Sequence, residues 1–171
     1  YEIRLSLVGS EMCIRDSTMT AILFLCHGNI CRSPMAEFVM KDKLARAGLA
    51  DKVQVESAAL HTDEIGSDIH RGTRAILEEY GIPFVPRQAH LAKQSDYDRF
   101  DYIVGMDRYN MRDMLRLFKN DPQEKCSLLL DWPGWSRDVA DPWYTGDFET
   151  TFEDVDAGCT VLLEEVKRRL R

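Results

Sequence analysis

Long apolar runs are missing from this 171-residue chain. No stretch approaches the roughly 18 residues that a membrane-spanning helix needs, so no membrane insertion is expected. Cysteine pairs are missing too. The five cysteines, Cys13, Cys26, Cys31, Cys126 and Cys159, include no CxxC pair and are too sparse for a small secreted disulfide scaffold. A structural zinc site is not expected, and a reducing cytoplasm is the expected compartment. Basic residues are in deficit: 22 Lys and Arg against 29 Asp and Glu give a formal net charge of −7. That balance argues against a nucleic-acid partner. GxGxxG and Walker sequences are absent, so no nucleotide cofactor is expected. His27, His61, His70 and His90 form no metal-ligand pattern, and no cofactor or metal is expected. Repeats, low-complexity tracts and linkers are also lacking, which points to one domain.

Residues 1–17, YEIRLSLVGSEMCIRDS, resemble a translated sequencing-adapter read. Met19 is the expected start, residues 1–18 a non-native extension, and residues 19–171 the domain. There, short apolar runs alternate with helical patterns. TAILFLC (20–26), KVQVESA (52–58), FDYIVGM (100–106) and CSLLLD (126–131) read as strands. A helix is expected from Pro34 in its first turn to Gly48 at its end, with Met35, Phe38, Val39 and Leu44 inward. A second is expected over 67–81 with Ser67 or Asp68 at its cap, and a third over 107–118. Residues 132–147 read as loop. A last helix from about Glu149 should bury Phe152, Val155, Val161, Leu162 and Val166. The implied fold is α/β: an open parallel sheet of about four strands with helices on both faces.

Ligands of such sheets bind beyond the carboxyl ends of the strands. The first such position is the loop Cys26-His27-Gly28-Asn29-Ile30-Cys31-Arg32-Ser33. Inward N–H groups of a tight loop form an anion cradle, and the following helix adds its positive end. Arg32 can clasp two oxygens with its planar fork. The same field lowers a thiol's pKa, so Cys26 is a candidate nucleophile beneath a bound phosphoryl group. Ser33 can donate to its sulfur. Gly28 and Asn29 both tolerate the positive φ that a closed loop requires. A Cys ending a strand is more often a buried small hydrophobe, and a bare C-x5-R spacing is weak. The whole string CHGNICRSP between strand and helix is far stronger. His27 could contact a leaving group, although its backbone N–H is the expected contributor.

LFLCHGNICRSPMAE resembles the signature loop of the low-molecular-weight protein tyrosine phosphatases. The resemblance extends to SAA at Ser57, FDYIVGMDRYNMRDM and VADPWYTGDFE. It implies a phosphotyrosine phosphatase working through a phosphocysteine, with Cys26 as nucleophile, Arg32 as phosphate clamp and Asp141 as general acid and base. Spacing alone leaves Asp131, Asp138 and Asp147 as competitors for that last role. The resemblance further implies that Asn29 bonds to Ser57 and that Trp143 and Tyr144 form a wall for the substrate ring. It implies that Cys31 can form a reversible disulfide with Cys26 under oxidation. Relatives often carry an aromatic residue where this chain has Asp63, followed by Glu64, so a more open, acidic cleft is expected.

Three alternatives stay open. Phosphoarginine-directed relatives tend to carry Thr where Ile30 stands, and Ile30 favours an aryl ring. Arsenate reduction needs resolving cysteines, and Cys126 and Cys159 have no close partner. A phosphate-dependent binding module would have lost Cys26 or Asp141. A phosphotyrosine protein, such as a bacterial tyrosine kinase, is the expected partner, and a monomer the expected state.

Overall fold

The computed structural model describes residues 19–170; the expected N-terminal extension, 1–18, lies outside the described residues. The elements run β1 (Thr20–Cys26), α1 (Arg32–Arg46), β2 (Val53–Ala59), α2 (Arg71–Glu79), α3 (Asp96–Arg99) and β3 (Tyr102–Gly105). There follow α4 (Arg108–Leu117), β4 (Cys126–Leu128), β5 (Asp131–Trp132), β6 (Trp135–Ser136), α5 (Pro142–Thr145) and α6 (Phe148–Leu170). Strands β2-β1-β3-β4 form one parallel sheet in that order. The chain leaves β1 for β2 on one side and later returns to β3 on the other. The end of β1, at Cys26, is therefore the switch point where such sheets open a crevice.

The period-two alternation of β1 divides the core. Ile22, Phe24 and Cys26 face a cluster with Met35, Val39 and Leu44 of α1 and Val155, Cys159 and Val166 of α6. Ala21, Leu23 and Leu25 face Tyr97, Phe100, Met114 and Phe118, from α3, α4 and their flanks. Both faces are covered, which is why β1 reads as an unbroken apolar run.

Several boundaries depart from the sequence expectations. Helix α2 is capped by His70, not by Ser67 or Asp68. Those two are spent on the preceding loop: Ser67 Oγ donates to Glu64 Oε1 at 3.4 Å, and Asp68 Oδ1 accepts from Ile69 N at 2.7 Å. The stretch 132–147, expected to be loop, contains β6 and α5 and completes a hairpin. Gly134 turns it with φ +78°, and Trp132 stacks on Trp135 at 4.6 Å. Strand β4 stops at Leu128 because the chain turns at Leu129 and Leu130 into that hairpin. Val161 is 41% exposed; Phe152, Val155, Cys159, Leu163 and Val166 carry the buried face of α6, with Leu162 packed at its edge.

Gly158 sits inside α6, where glycine is ordinarily unfavourable by about 1 kcal/mol against alanine. A Cβ there would lie 2.4 Å from Leu129 Cγ and 3.0 Å from the Leu129 carbonyl oxygen. Close approach of α6 to the end of β4 requires the glycine. Gly158→Ala is predicted to destabilise the protein by about 1–3 kcal/mol despite its better helix propensity, measured by urea denaturation. A stabilised variant would refute the close-packing account.

Candidate active site

The loop after β1 is turned so that its carbonyls face the protein. The Cys26 carbonyl accepts from Leu60 N at 3.0 Å, that of His27 from His61 N at 3.0 Å, and that of Ile30 from His70 N at 2.9 Å. The Cys31 carbonyl accepts from Thr73 Oγ1 at 3.2 Å. Among the described residues, no backbone N–H of residues 27–31 donates to a protein acceptor. Asn29, Ile30 and Cys31 are buried, and buried N–H groups demand a partner. The loop is a concave set of donors suited to an anion.

Asn29 holds this shape. Its φ is +60°, a conformation asparagine tolerates better than most residues. Its Nδ2 donates to Ser33 Oγ at 2.8 Å and to Ser57 Oγ at 2.9 Å, and its Oδ1 accepts from His90 N at 3.4 Å. Ser57 in turn donates to Glu37 Oε1 at 2.6 Å. The expected Asn29–Ser57 bond is present. Gly28 corrects the expectation of positive φ: Asn29 alone of the two has it. Glycine at 28 instead gives room to Glu64, whose Cγ would lie 3.3 Å from an added Cβ.

Cys26 lies at the floor, 2% exposed. Ser33 Oγ is 3.1 Å from its sulfur, and Ser33 N–H donates to the same atom at 3.4 Å. Because Asn29 occupies a lone pair of Ser33 Oγ, the hydroxyl proton is available to a thiolate. Cys31 is different. Burial, with the charges of Cys26 and Asp141, pushes its thiol up to about 12, so it is protonated at neutral pH.

Arg32 is also 2% exposed. Its Nη1 donates to Asp107 Oδ2 at 2.7 Å and to the Val139 carbonyl at 2.8 Å; its Nη2 donates to Asp141 Oδ2 at 3.3 Å. Burial works against the guanidinium charge, but Cys26, Asp141 and Asp107 outweigh it and hold Arg32 above the ordinary arginine value. Its Nε is buried and has no hydrogen-bond partner among the described residues. The Nε–Nη2 edge is the one that can meet two oxygens of a tetrahedral anion.

Asp141 caps α5. Its Oδ1 accepts from Trp143 N at 3.1 Å while Oδ2 faces Arg32. Of the four aspartates that spacing left in competition, Asp141 is the one bonded to Arg32. Asp138 pairs with Arg108 and Asp147 with Thr150; Asp131 lies in the β5–β6 hairpin.

A cleft of about 620 Å³ opens above this floor. Trp143 and Tyr144 line it at 55% and 83% exposure, and Ile30, Asp63 and Glu64 line it too. The His27 side chain also joins the rim, although its backbone N–H was the favoured contributor and a leaving-group contact the alternative. It stacks on His61 at 4.1 Å and bonds through Nε2 to Asp63 at 2.9 Å. His61, bonded to Asp113 at 2.8 Å, was missed from sequence, as were Glu37 and Asp107. Glu37 lay within the recognised MAE string, and Asp107 shows the Asp-x-x-Asn pattern of a helix cap, which it makes with Asn110. Neither signal points to its partner in the site.

A family model of low molecular weight phosphotyrosine protein phosphatases matches residues 21–171. The low molecular weight protein-tyrosine-phosphatase YfkJ of Bacillus subtilis is 40% identical over 154 residues, covering 88% of this chain and 97% of that protein. The crystal structure of YfkJ superposes with a TM-score of 0.86 at 37% identity, over 91% of this chain and 99% of that one. The low molecular weight protein tyrosine phosphatase SP-PTP of Streptococcus pyogenes superposes with a TM-score of 0.77 at 38% identity, over 86% and 93% of the two chains. Sequence, fold and the geometry of the loop after β1 agree, and the chain belongs to the low molecular weight phosphotyrosine protein phosphatase family.

Proposed function

We propose that the protein hydrolyses phosphotyrosine in proteins through a phosphocysteine on Cys26. The observation that carries this is the joint placement of one buried sulfur, the inward N–H groups above it, and Arg32 bonded to Asp141 at 3.3 Å. The phosphoryl oxygens take the loop N–H groups and the Nε–Nη2 edge of Arg32. Cys26 Sγ attacks phosphorus while the bond to the tyrosine oxygen breaks. Asp141, entering as the carboxylic acid, gives its proton to that oxygen. As carboxylate it then takes a proton from water, whose oxygen attacks phosphorus. The S–P bond breaks, inorganic phosphate leaves, and the thiolate returns to the hydrogen bonds of Ser33.

Ser57 and Glu37 act through Asn29, as supports of the loop. Trp143, Tyr144 and Ile30 favour a flat aryl group over a guanidino one. Asp63, Glu64 and Asp113 give the rim a negative character that disfavours highly acidic peptides. The two remaining cysteines argue against arsenate chemistry. Cys126 packs at the edge of the cluster on one face of the sheet and Cys159 inside the cluster on the other, its sulfur directed at the Ala36 carbonyl, so the two are not placed to relay a disulfide. No helix of the described residues is long and apolar enough to cross a membrane. A cytoplasmic monomer acting on a bacterial tyrosine kinase or its substrates completes the reading.

The test is hydrolysis of para-nitrophenyl phosphate and a phosphotyrosine peptide with EDTA present. Cys26→Ser is predicted to abolish turnover. Asp141→Ala should lower kcat/KM by about 10²–10⁴-fold, and Arg32→Lys, which loses the planar fork, by about 10²–10³-fold. A folded parent that binds phosphate without turning it over would overturn the reading.

The pair Cys26 and Cys31 carries a second prediction. Peroxide oxidises the Cys26 thiol to a sulfenic acid and releases water. The Cys31 sulfur then attacks it, a disulfide forms, and a second water leaves. Inactivation by stoichiometric peroxide is predicted to be fully reversed by dithiothreitol in the parent and poorly reversed in Cys31→Ser. Equal recovery in both proteins would remove Cys31 from that role.

A further inference from the structure

His70 stands at a junction that its role as a helix cap does not explain. Its Nδ1 accepts from Gly72 N at 2.9 Å. Asparagine, aspartate or serine would cap α2 at least as well. What histidine adds is a ring, and that ring is in contact on two sides. It stacks flat on Phe148 at 5.1 Å with an interplanar angle of 19°, and it meets Trp143 edge-on at 5.7 Å and 81°.

Those two aromatics bracket the segment that carries Asp141. Trp143 lies two residues after it, and its own N–H donates to Asp141 Oδ1. Phe148 opens α6 just beyond the left-handed Gly146 at φ +71°. A second sequence feature serves the same contact. Gly72 stands in the first turn of α2, where a Cβ would lie 2.5 Å from the Phe148 ring. The side of Phe148 also packs against Ile30 and Cys31, and His70 N–H donates to the Ile30 carbonyl at 2.9 Å. One residue thus touches the phosphate-binding loop through its backbone and both ends of the acid-bearing segment through its ring.

We propose that His70 is a positioning residue for the general acid: its ring holds the 141–148 segment at Trp143 and Phe148, in register with the loop that binds the phosphoryl group. The proposal rests on the assignment of Asp141 as the acid. It separates two functions of one side chain, cap and ring, which different substitutions remove. His70→Asn keeps a cap acceptor and loses the ring. His70→Phe keeps the ring and loses the cap.

A misplaced acid slows expulsion of a basic phenolate more than expulsion of an activated one, so the readout is a ratio. It is kcat/KM for a phosphotyrosine peptide divided by kcat/KM for para-nitrophenyl phosphate, measured in the full chain beside the melting temperature. His70→Asn is predicted to melt close to the parent and to lower that ratio by about tenfold. His70→Phe is predicted to melt lower while keeping the parental ratio. Asp141→Ala supplies the reference, with the largest fall in the ratio. If Asp141→Ala leaves the ratio unchanged, the assignment of the acid fails and the proposal with it. If Asp141→Ala lowers the ratio and His70→Asn does not, the acid stands and the role of His70 is overturned. A ratio that falls in both His70 variants in step with their melting temperatures would make His70 structural only, and would also overturn the proposal.

Discussion

A guanidinium with 2% of its surface exposed is the constraint around which the rest of the site is arranged. A buried charge is tolerated only where neighbouring groups replace the water it has lost. Arg32 finds them in Asp107 at the start of α4, in the Val139 carbonyl, and in Asp141 at the start of α5. The first follows β3, the strand beside β1, and the other two come from the return segment. Removing either carboxylate leaves the charge undercompensated, which makes Asp107 as much a requirement of Arg32 as of the helix it caps. Arg32, the proposed phosphate clamp, is thereby also the tie that draws the segment carrying Val139 and Asp141 over the end of β1.

The loop itself has the complementary problem. Turning its carbonyls toward the protein leaves its N–H groups facing the cleft, so the surrounding structure must reward the carbonyls. Leu60, His61, His70 and Thr73 do so from the segment after β2 and from α2. Asn29 adds a left-handed kink that its side chain secures on Ser33, Ser57 and the backbone of His90. The chain Glu37–Ser57–Asn29–Ser33 has a definite polarity. The Glu37 carboxylate can only accept, so Ser57 donates to it and accepts from Asn29. Asn29 in turn donates to Ser33, leaving that hydroxyl proton for the sulfur of Cys26. A carboxylate on α1 thus orients the hydrogen bond at the Cys26 sulfur.

The part of this design legible in the sequence is the part that is contiguous. Cys26 to Ser33 stands as one string between an apolar run and a helix, so strand, loop and helix could be placed from residue order alone. Asp141 was legible only through the family resemblance, because Asp131, Asp138 and Asp147 compete on composition. Asp107 was not legible as a partner of Arg32, since 75 positions separate them and only the pairing of β1 with β3 closes that distance. The cap of α2 misled for a related reason. Ser67 and Asp68 carry the usual cap chemistry, but Ser67 Oγ turns to Glu64 and Asp68 accepts from the backbone of Arg87, which no local cap pattern announces. Gly28 has no positive φ; what a larger residue there would meet is the Glu64 side chain, 3.3 Å from an added Cβ. Local rules succeeded where local contacts dominate and failed where a distant side chain decided the outcome.

The acidity of the chain raises a last question, since the ligand is itself a dianion. Asp63, Glu64 and Asp113 line the cleft, and the chain carries a formal net charge of −7. Charges separated by more than about 8–10 Å through solvent are largely screened at physiological salt. The inward N–H groups, the start of α1 and Arg32 act within hydrogen-bond range and in a buried setting, where electrostatic interactions are stronger. Overall charge therefore governs approach, and the local donors govern binding. The consequence is selectivity by depth. The donors lie near the floor, beside Cys26 at 2% exposure, while Asp63, Glu64 and Asp113 outnumber Arg112 at the rim. A phosphoryl group on a long flat arm can cross that rim and reach the donors while its ring rests between the side chains of the walls. A phosphoryl group on a short aliphatic arm brings its own backbone against the acidic edge first. Under the proposed function, the acidic rim and the donor-lined floor together account for a preference for aryl phosphates that neither feature would produce alone.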